Sequence, residues 1–220
     1  MAQHDILRNR ILGQLPALEL KAIEPKLSRI DLKQTTVLNA PDEPIKRVYF
    51  PLSGMVSLLS ITQGGDAIET GIVGSDGIVG GSCAMDGGLS FGQATVQLDA
   101  VALVMGTSDF KVAYGAHEHL RALVNKYQMV LLMQAQQNAA CHALHTVNSR
   151  LCRWLLQSQD MTGSDKLYLT QEFLSHMLGV RRSTVSVEAH ILQKGGLVHA
   201  ATSRFWIVQA SSNALANAIP

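Results

Sequence analysis

The stretch Leu169–His190, LTQEFLSHMLGVRRSTVSVEAH, consists of two short helix-like segments joined at a glycine. Thr170 is placed to cap the first segment, and Glu172 sits in the first turn, where the helix dipole favours a carboxylate. Phe173, Leu174, Met177 and Leu178 make one apolar face. Ser175 is small, so a second helix can cross close by. Gly179 suits the left-handed position that ends a helix, and Val180 anchors the turn. A second helix then runs from about Arg181, with Val185, Ala189 and Leu192 inward, until Gly195 and Gly196 stop it. Helix, glycine turn, helix at this spacing is the helix-turn-helix arrangement.

In such a unit the first helix braces and the second lies in the DNA major groove, whose width admits one helix. Side chains near the start of the second helix then reach base edges. Here those are Arg181, Arg182, Ser183, Thr184 and Ser186. An arginine can bond guanine O6 and N7 together, which discriminates by about 1–3 kcal/mol. Thr170 and Gln171, at the start of the bracing helix, are phosphate-contact candidates. Val187 points outward, towards a thymine methyl. The bare pattern also fits a plain helical hairpin with solvated arginines. The segment that follows, GLVHAATSRFWIVQA, reads as two short strands around a turn at Thr202–Ser203. It favours the DNA reading and places Arg204 to hold flanking backbone. The tail SSNALANAIP is small and polar.

Outside this unit the chain has room for one large domain or two modest ones, at 220 residues. A hydrophobic share of 47% is ample for a packed core. No apolar run approaches a membrane span, and no apolar region follows the charged start MAQHDILRNR, so a cytoplasmic protein is expected. Cys83, Cys141 and Cys152 are odd in number and widely spaced, which fits reduced buried thiols. Charge is uneven. Residues 1–110 carry 8 Lys+Arg against 12 Asp+Glu, residues 111–160 carry 5 against 2, and residues 161–220 carry 5 against 3. The basic surplus lies in the second half. It is small for one chain and doubles in a pair.

Residues 5–30 read as helical, interrupted at Pro16 and Pro25. From Thr35 the runs TTVLN, KRVYFPLSG, MVSLLSIT, AIETGIVG and ATVQLDAVALVMG read as short strands between Pro and Gly turns. They predict a compact antiparallel barrel or roll. Ala116–Met161 holds no Pro or Gly. As one helix it would span about 70 Å, so a bend is expected near 138–144. Its first half carries a narrow stripe: Leu120, Leu123, Val124, Tyr127, Val130, Leu131 and on to Gln134. That stripe suits either pairing with a second copy or packing on its own roll.

The chain resembles the Crp/Fnr family of bacterial transcription factors (cyclic-AMP receptor protein, fumarate–nitrate reductase regulator) over nearly its whole length. VYFPLSGMVSLLS, GIVGSDGIVGG and ATVQLDAVAL are similar to that family's sensory β-roll. NSRLCRWLLQSQDMTGSDKLYLTQEFLSHMLGVRRSTVSVEAHILQKGGLV is similar to its DNA domain. The resemblance implies an α+β chain: a cyclic-nucleotide-binding-like β-roll (1–115), a long dimerisation helix (116–142) and a winged helix-turn-helix (143–220). It implies a homodimer reading a two-fold-related site on double-stranded DNA, with half-sites about 34–36 Å apart. It also implies RNA polymerase as a partner. A signal in the roll would change the spacing of the two reading helices.

Departures from the family pattern bear on the effector. Members that bind cyclic AMP carry a glutamate for the ribose and an arginine–serine pair for the phosphate. The matching region here is GIVGGSCAMDGGLSFGQATV. The glutamate position falls at Gly81 or Ser82, and the arginine position at Phe91 or Gly92; Gly80 and Gln93 flank them. No Arg or Lys occurs from Val48 to Phe110. Tight binding of cyclic AMP or cyclic GMP is therefore not expected, and the effector is another small molecule or none. No cysteine precedes Cys83, against a four-cysteine iron–sulfur cluster. Cys141 and His145, at i and i+4, can share a helix face, but a buried thiol near helix-end histidines is the simpler reading. No cofactor or metal is predicted.

One residue sits oddly in the second helix. The position three after Val185 is apolar in most such units and is Glu188 here; either it reaches solvent or a basic partner, or the helix is slightly rotated, and it is expected to turn away from DNA. The chain has no phosphate-binding loop, nucleophile elbow, or metal-spaced Cys/His quartet. Asp76 and Asp86 are isolated turn carboxylates, so no enzyme is expected. The competing reading is a sensor or scaffold subunit that binds a protein through the roll without reading DNA. The intact GVRRSTV speaks against it.

Overall fold

The computed structural model of the chain describes residues 3–85, 88–201 and 204–207, with side chains from 5–85 and 88–199. The chain packs as two units: residues 1–60 with 71–135, and residues 61–70 with 136–220. No helix among the described residues is long and apolar enough to cross a membrane.

In the first unit the expected N-terminal helix is three short ones, α1 (Gln3–Ile6), α2 (Arg10–Gly13) and α3 (Ala17–Ile23). Pro16 stands at the N-cap of α3, and Pro25 opens a tight turn at Glu24–Lys26. The helical expectation fails from Ser28 onward. Ser28–Leu32 is strand β1, paired antiparallel with Ala100–Val104. Asn9 caps α2 from full burial. Its Oδ1 accepts from Ile11 N and Leu12 N, while its Nδ2 donates to Pro51 O at 2.9 Å and Gly77 O at 2.8 Å. One side chain thus ties the helical start to two segments of the roll.

The strands are β2 (Val37–Asn39), β3 (Arg47–Ile61), β4 (Ala67–Val73) and β5 (Gln93–Gly106), joined with β1 in one sheet ordered β1-β5-β3-β4, with β2 also on β5. Two expected strands, KRVYFPLSG and MVSLLSIT, are one. Its register with β5 shifts between Pro51 and Val56, where Pro51 lacks a ladder donor and bulges bend the strand. Phe50, Val56, Val96 and Leu103 fill the core. Helix α4 (Thr107–Ala116), absent from the sequence expectation, inserts Phe110 edge-on to Phe50 at 6.4 Å.

Helix α5 (Glu118–Leu144) follows, and α6 (Val147–Thr162) begins after a break at His145–Thr146. The break falls just beyond the expected bend, where Thr146 caps the new helix: its Oγ1 accepts from Ser149 N. The stripe on α5 faces its own roll. Leu120, Val124 and Tyr127 belong to the roll core, and Leu123 and Leu131 are partly buried against it. Gln134 takes Ile72 N on its Oε1 at 3.0 Å and donates to Ile72 O. Of the seven residues expected at a seam between copies, Leu120, Val124 and Tyr127 are buried, Leu123, Leu131 and Gln134 are half-buried and Val130 is exposed. The open apolar face of this part of α5 is Met129, Val130, Leu132 and Met133, with Met133 64% exposed.

Tyr127 fits flat against Gly77. A Cβ there would lie 2.0 Å from the ring, so the close approach demands glycine. The Tyr127 hydroxyl is buried without a hydrogen-bond partner among the described residues. Burial first, and Asp76 second, hold its pKa well above the usual phenol value.

In the second unit α6 is followed by β6 (Lys166–Leu167), α7 (Gln171–Leu178), α8 (Arg182–Lys194), β7 (Val198–Ala201) and β8 (Arg204–Ile207). The strands form an antiparallel sheet ordered β6-β8-β7. Leu151, Leu155, Leu174, Leu178, Val185, Ala189 and Leu192 are buried, so the apolar faces of three helices meet inside this unit. Trp154 packs edge-on to Phe173 at 5.5 Å and donates its indole N–H to Glu69 Oε1 at 2.7 Å. The Thr202–Ser203 turn, the Arg204 side chain, Asp86 and the tail from 211 lie outside the described residues and side chains.

Candidate nucleic-acid interface

Thr170 caps α7, its Oγ1 accepting from Phe173 N at 3.1 Å, a contact worth about 1 kcal/mol. Gly179 ends the helix at φ 61°; its N–H donates to His176 O at 3.2 Å, and Val180 N donates to Ser175 O at 3.0 Å. Left-handed backbone of this kind favours glycine, and the two bonds close the helix end within one turn. The chain re-enters helix within three residues. Arg181 is the N-cap of α8 in extended backbone, with no side-chain cap bond, so α8 begins one residue later than expected. A guanidinium has no acceptor with which to cap a helix start, and Arg181 is exposed to solvent.

The first turn of α8 is largely exposed. Arg181, Arg182 and Ser183 are exposed, Thr184 is half-buried, and Val187 is 59% exposed. Val185, Ala189 and Leu192 point inward, so one side of α8 is fixed by packing and the other carries the two arginines. No carboxylate pairs with Arg181 or Arg182 among the described residues. Ser186 and Gln171, both candidate DNA contacts, are bonded to each other, Oγ to Oε1 at 2.6 Å. The same hydroxyl lies 3.1 Å from Arg182 O. This pair braces α7 against α8, leaving the Gln171 amide nitrogen as the group able to meet a phosphate.

Glu188 turns towards α6, where its Oε2 accepts from Asn148 Nδ2 at 2.9 Å. Its partner is an amide, not a base. The carboxylate lies near Cys152, whose thiol burial, and then Glu188, push up to about 11. Cys83, Cys141 and Cys152 are all buried, and none forms a disulfide with another.

The candidate effector region of the roll is less organised. Gly80, in left-handed backbone, precedes a turn of tight helix at Gly81–Ala84. Gly81 is buried with Gln128 Nε2 3.1 Å from where its Cβ would stand. Ser82 is half-buried. Phe91 is 82% exposed, and Gln93 donates to Thr95 Oγ1 at 2.8 Å. A cation does approach this region from just beyond Phe110: Lys111 Nζ, on α4, lies 3.5 Å from where a Cβ on Gly88 would be.

Comparison with known proteins gives the same picture. Residues 149–216 match the Crp-like helix-turn-helix domain family. Comparison with curated proteins finds no match. Among solved structures, a protein from Eubacterium rectale assigned to the Crp/Fnr family of transcriptional regulators superposes with a TM-score of 0.74 at 15% identity, over 96% of this chain and 98% of that one. FixK2 from Bradyrhizobium japonicum gives 0.74 at 16%, over 88% and 98%. The c-di-GMP-responsive global regulator CLP from Xanthomonas campestris gives 0.72 at 16%, over 87% and 99%.

Proposed function

We propose that this chain, of Crp/Fnr type by its fold and by the Crp-like helix-turn-helix domain at 149–216, is a sequence-specific DNA-binding transcription regulator that works as a homodimer. The observation that carries the reading is the exposed first turn of α8: two arginines without a carboxylate partner, on a helix whose opposite face is locked by Val185, Ala189 and Leu192. Arg182 is assigned to a base edge. Arg181, Ser183 and Thr184 are assigned to base or phosphate, Thr170 and Gln171 to phosphate, and Arg204 to flanking backbone. Ser186 acts by orienting Gln171.

The dimer seam is assigned to Met129, Val130, Leu132 and Met133, the apolar face that the roll leaves open. Two copies related by a two-fold axis would present two α8 helices to successive major-groove faces, about 34–36 Å apart. RNA polymerase is the partner implied by the family. The effector is not cyclic AMP or cyclic GMP, since the cassette region lacks both the acidic ribose ligand and the arginine.

Selection of bound duplexes from a random pool tests this reading. An inverted-repeat consensus with a steep loss of affinity on adding salt is expected. Absence of any enriched sequence at low ionic strength overturns it.

A further inference from the structure

Behind the α7–α8 turn, a void of about 30 Å³ opens among residues that all belong to the second unit. Arg150 and Arg153, one turn apart on α6, both line it, with Asn138, His142, Trp154 and Gln157. Two guanidiniums on one small void need counter-charge, because burying a cation without a partner is costly. Glu69 is the only carboxylate among the described lining residues, and it accepts the Trp154 indole N–H. The arginines otherwise bond neutral groups. Arg153 Nη1 donates to Asn138 Oδ1 at 3.0 Å and to Cys141 Sγ at 2.9 Å. Arg150 Nη1 donates to Leu178 O at 2.9 Å and to His142 Nδ1 at 2.5 Å. Arg150 Nε is buried with no hydrogen-bond partner among the described residues.

We propose that this void is a binding site for a small oxyanion, held by the guanidinium groups of Arg150 and Arg153 that line it. Planar guanidinium forks match oxyanion geometry. The void takes a few atoms at most, of phosphate, sulfate or carboxylate size, and is far smaller than the roughly 300–1,000 Å³ of sites for drug-sized ligands. Burial, then the two arginines, hold His142 below its ordinary pKa, and burial pulls Arg150 down as well. The part that the two arginines play in the His142 shift is that of a positively charged site. The occupant would touch the same guanidinium that holds the carbonyl of Leu178, the last residue of α7.

The test uses the full-length protein without DNA, so its outcome is independent of the DNA reading. Inorganic phosphate is titrated by calorimetry into wild type and Arg153→Gln, with sodium chloride at matched ionic strength as control. Saturable binding to wild type, at least ten-fold weaker in the variant and absent with chloride, is expected. No saturable heat with wild type, or equal binding by both, overturns the site. If Arg153→Gln does not fold, Arg153→Lys replaces it. It keeps the charge and loses the fork, and binding as tight as wild type would then overturn the proposal.

Discussion

Glu188 Oε2 lies 2.9 Å from Asn148 Nδ2, which fastens the carboxylate of the reading helix to α6. A negative charge on α8 is thereby kept from the face that carries Arg181 and Arg182. Removing either partner leaves a half-buried polar group unpaired and should cost about 1 kcal/mol. Urea unfolding of Asn148→Ala, Glu188→Ala and the double variant should give a coupling of about 0.5–1.5 kcal/mol. Additive effects would show that the bond does not persist in solution. Asn148→Ala should also weaken DNA binding, because Glu188 is then free to swing towards phosphate.

Arg182→Ala should reduce affinity for the selected site by about 1–3 kcal/mol, and at one base step per half-site the preference should relax. Arg181, at the N-cap, is better placed for backbone, so Arg181→Ala should weaken all sequences alike and lower the salt slope by about one. Repeating the selection with each variant separates the two roles. An unchanged consensus from Arg182→Ala would remove its assignment as a base reader.

The helix-turn-helix was legible because its signals are local: a cap at Thr170, a glycine at 179, and inward residues at helical spacing. The seam was not. The stripe Leu120–Val124–Tyr127 has the same periodicity whether it is covered by a second copy or by its own roll. Periodicity reports burial, not what does the burying. The Ser186–Gln171 bond was hidden for a related reason, since both hydroxyl and amide are competent DNA contacts until the crossing of α7 and α8 is known. The Arg150–Arg153 void draws on Glu69 from a distant part of the chain, and no spacing rule joins those positions.

Met133→Glu places a charge on the open face of α5, near Met129 and Val130. If that face is the dimer seam, the variant should run as a monomer in light scattering while unfolding at nearly the wild-type urea midpoint. Its affinity for an inverted repeat should drop at least ten-fold, with half-site binding retained. Leu123→Ala should instead lower stability and leave the oligomeric state unchanged, because that side chain packs on its own roll.

Tyr127→Phe removes a buried hydroxyl that has no partner among the described residues. Since an unsatisfied buried donor costs about 1–3 kcal/mol, the variant should be as stable as wild type or more so. A loss above about 0.5 kcal/mol in urea unfolding would reveal a partner for the hydroxyl in solution. Gly77→Ala should destabilise strongly, because its Cβ would fall 2.0 Å from the Tyr127 ring. A smaller residue at 127 should recover part of that loss.

His142 gives the acid response a defined sign. Burial first, then Arg150 and Arg153, lower its pKa in the folded chain, and Nδ1 accepts from Arg150 as neutral imidazole does. Unfolding restores the ordinary value near 6.5. Below that value the unfolded state binds the proton that the folded state refuses, so stability falls as pH drops. Above it both states are neutral at this position and the residue adds no pH dependence. His142→Asn keeps a neutral acceptor and removes the titration. Urea midpoints between pH 7 and pH 5 should therefore fall less steeply in the variant than in wild type. Parallel slopes would mean that His142 is not held neutral against the two arginines. A steeper fall in the variant would mean that its protonated form is favoured in the fold.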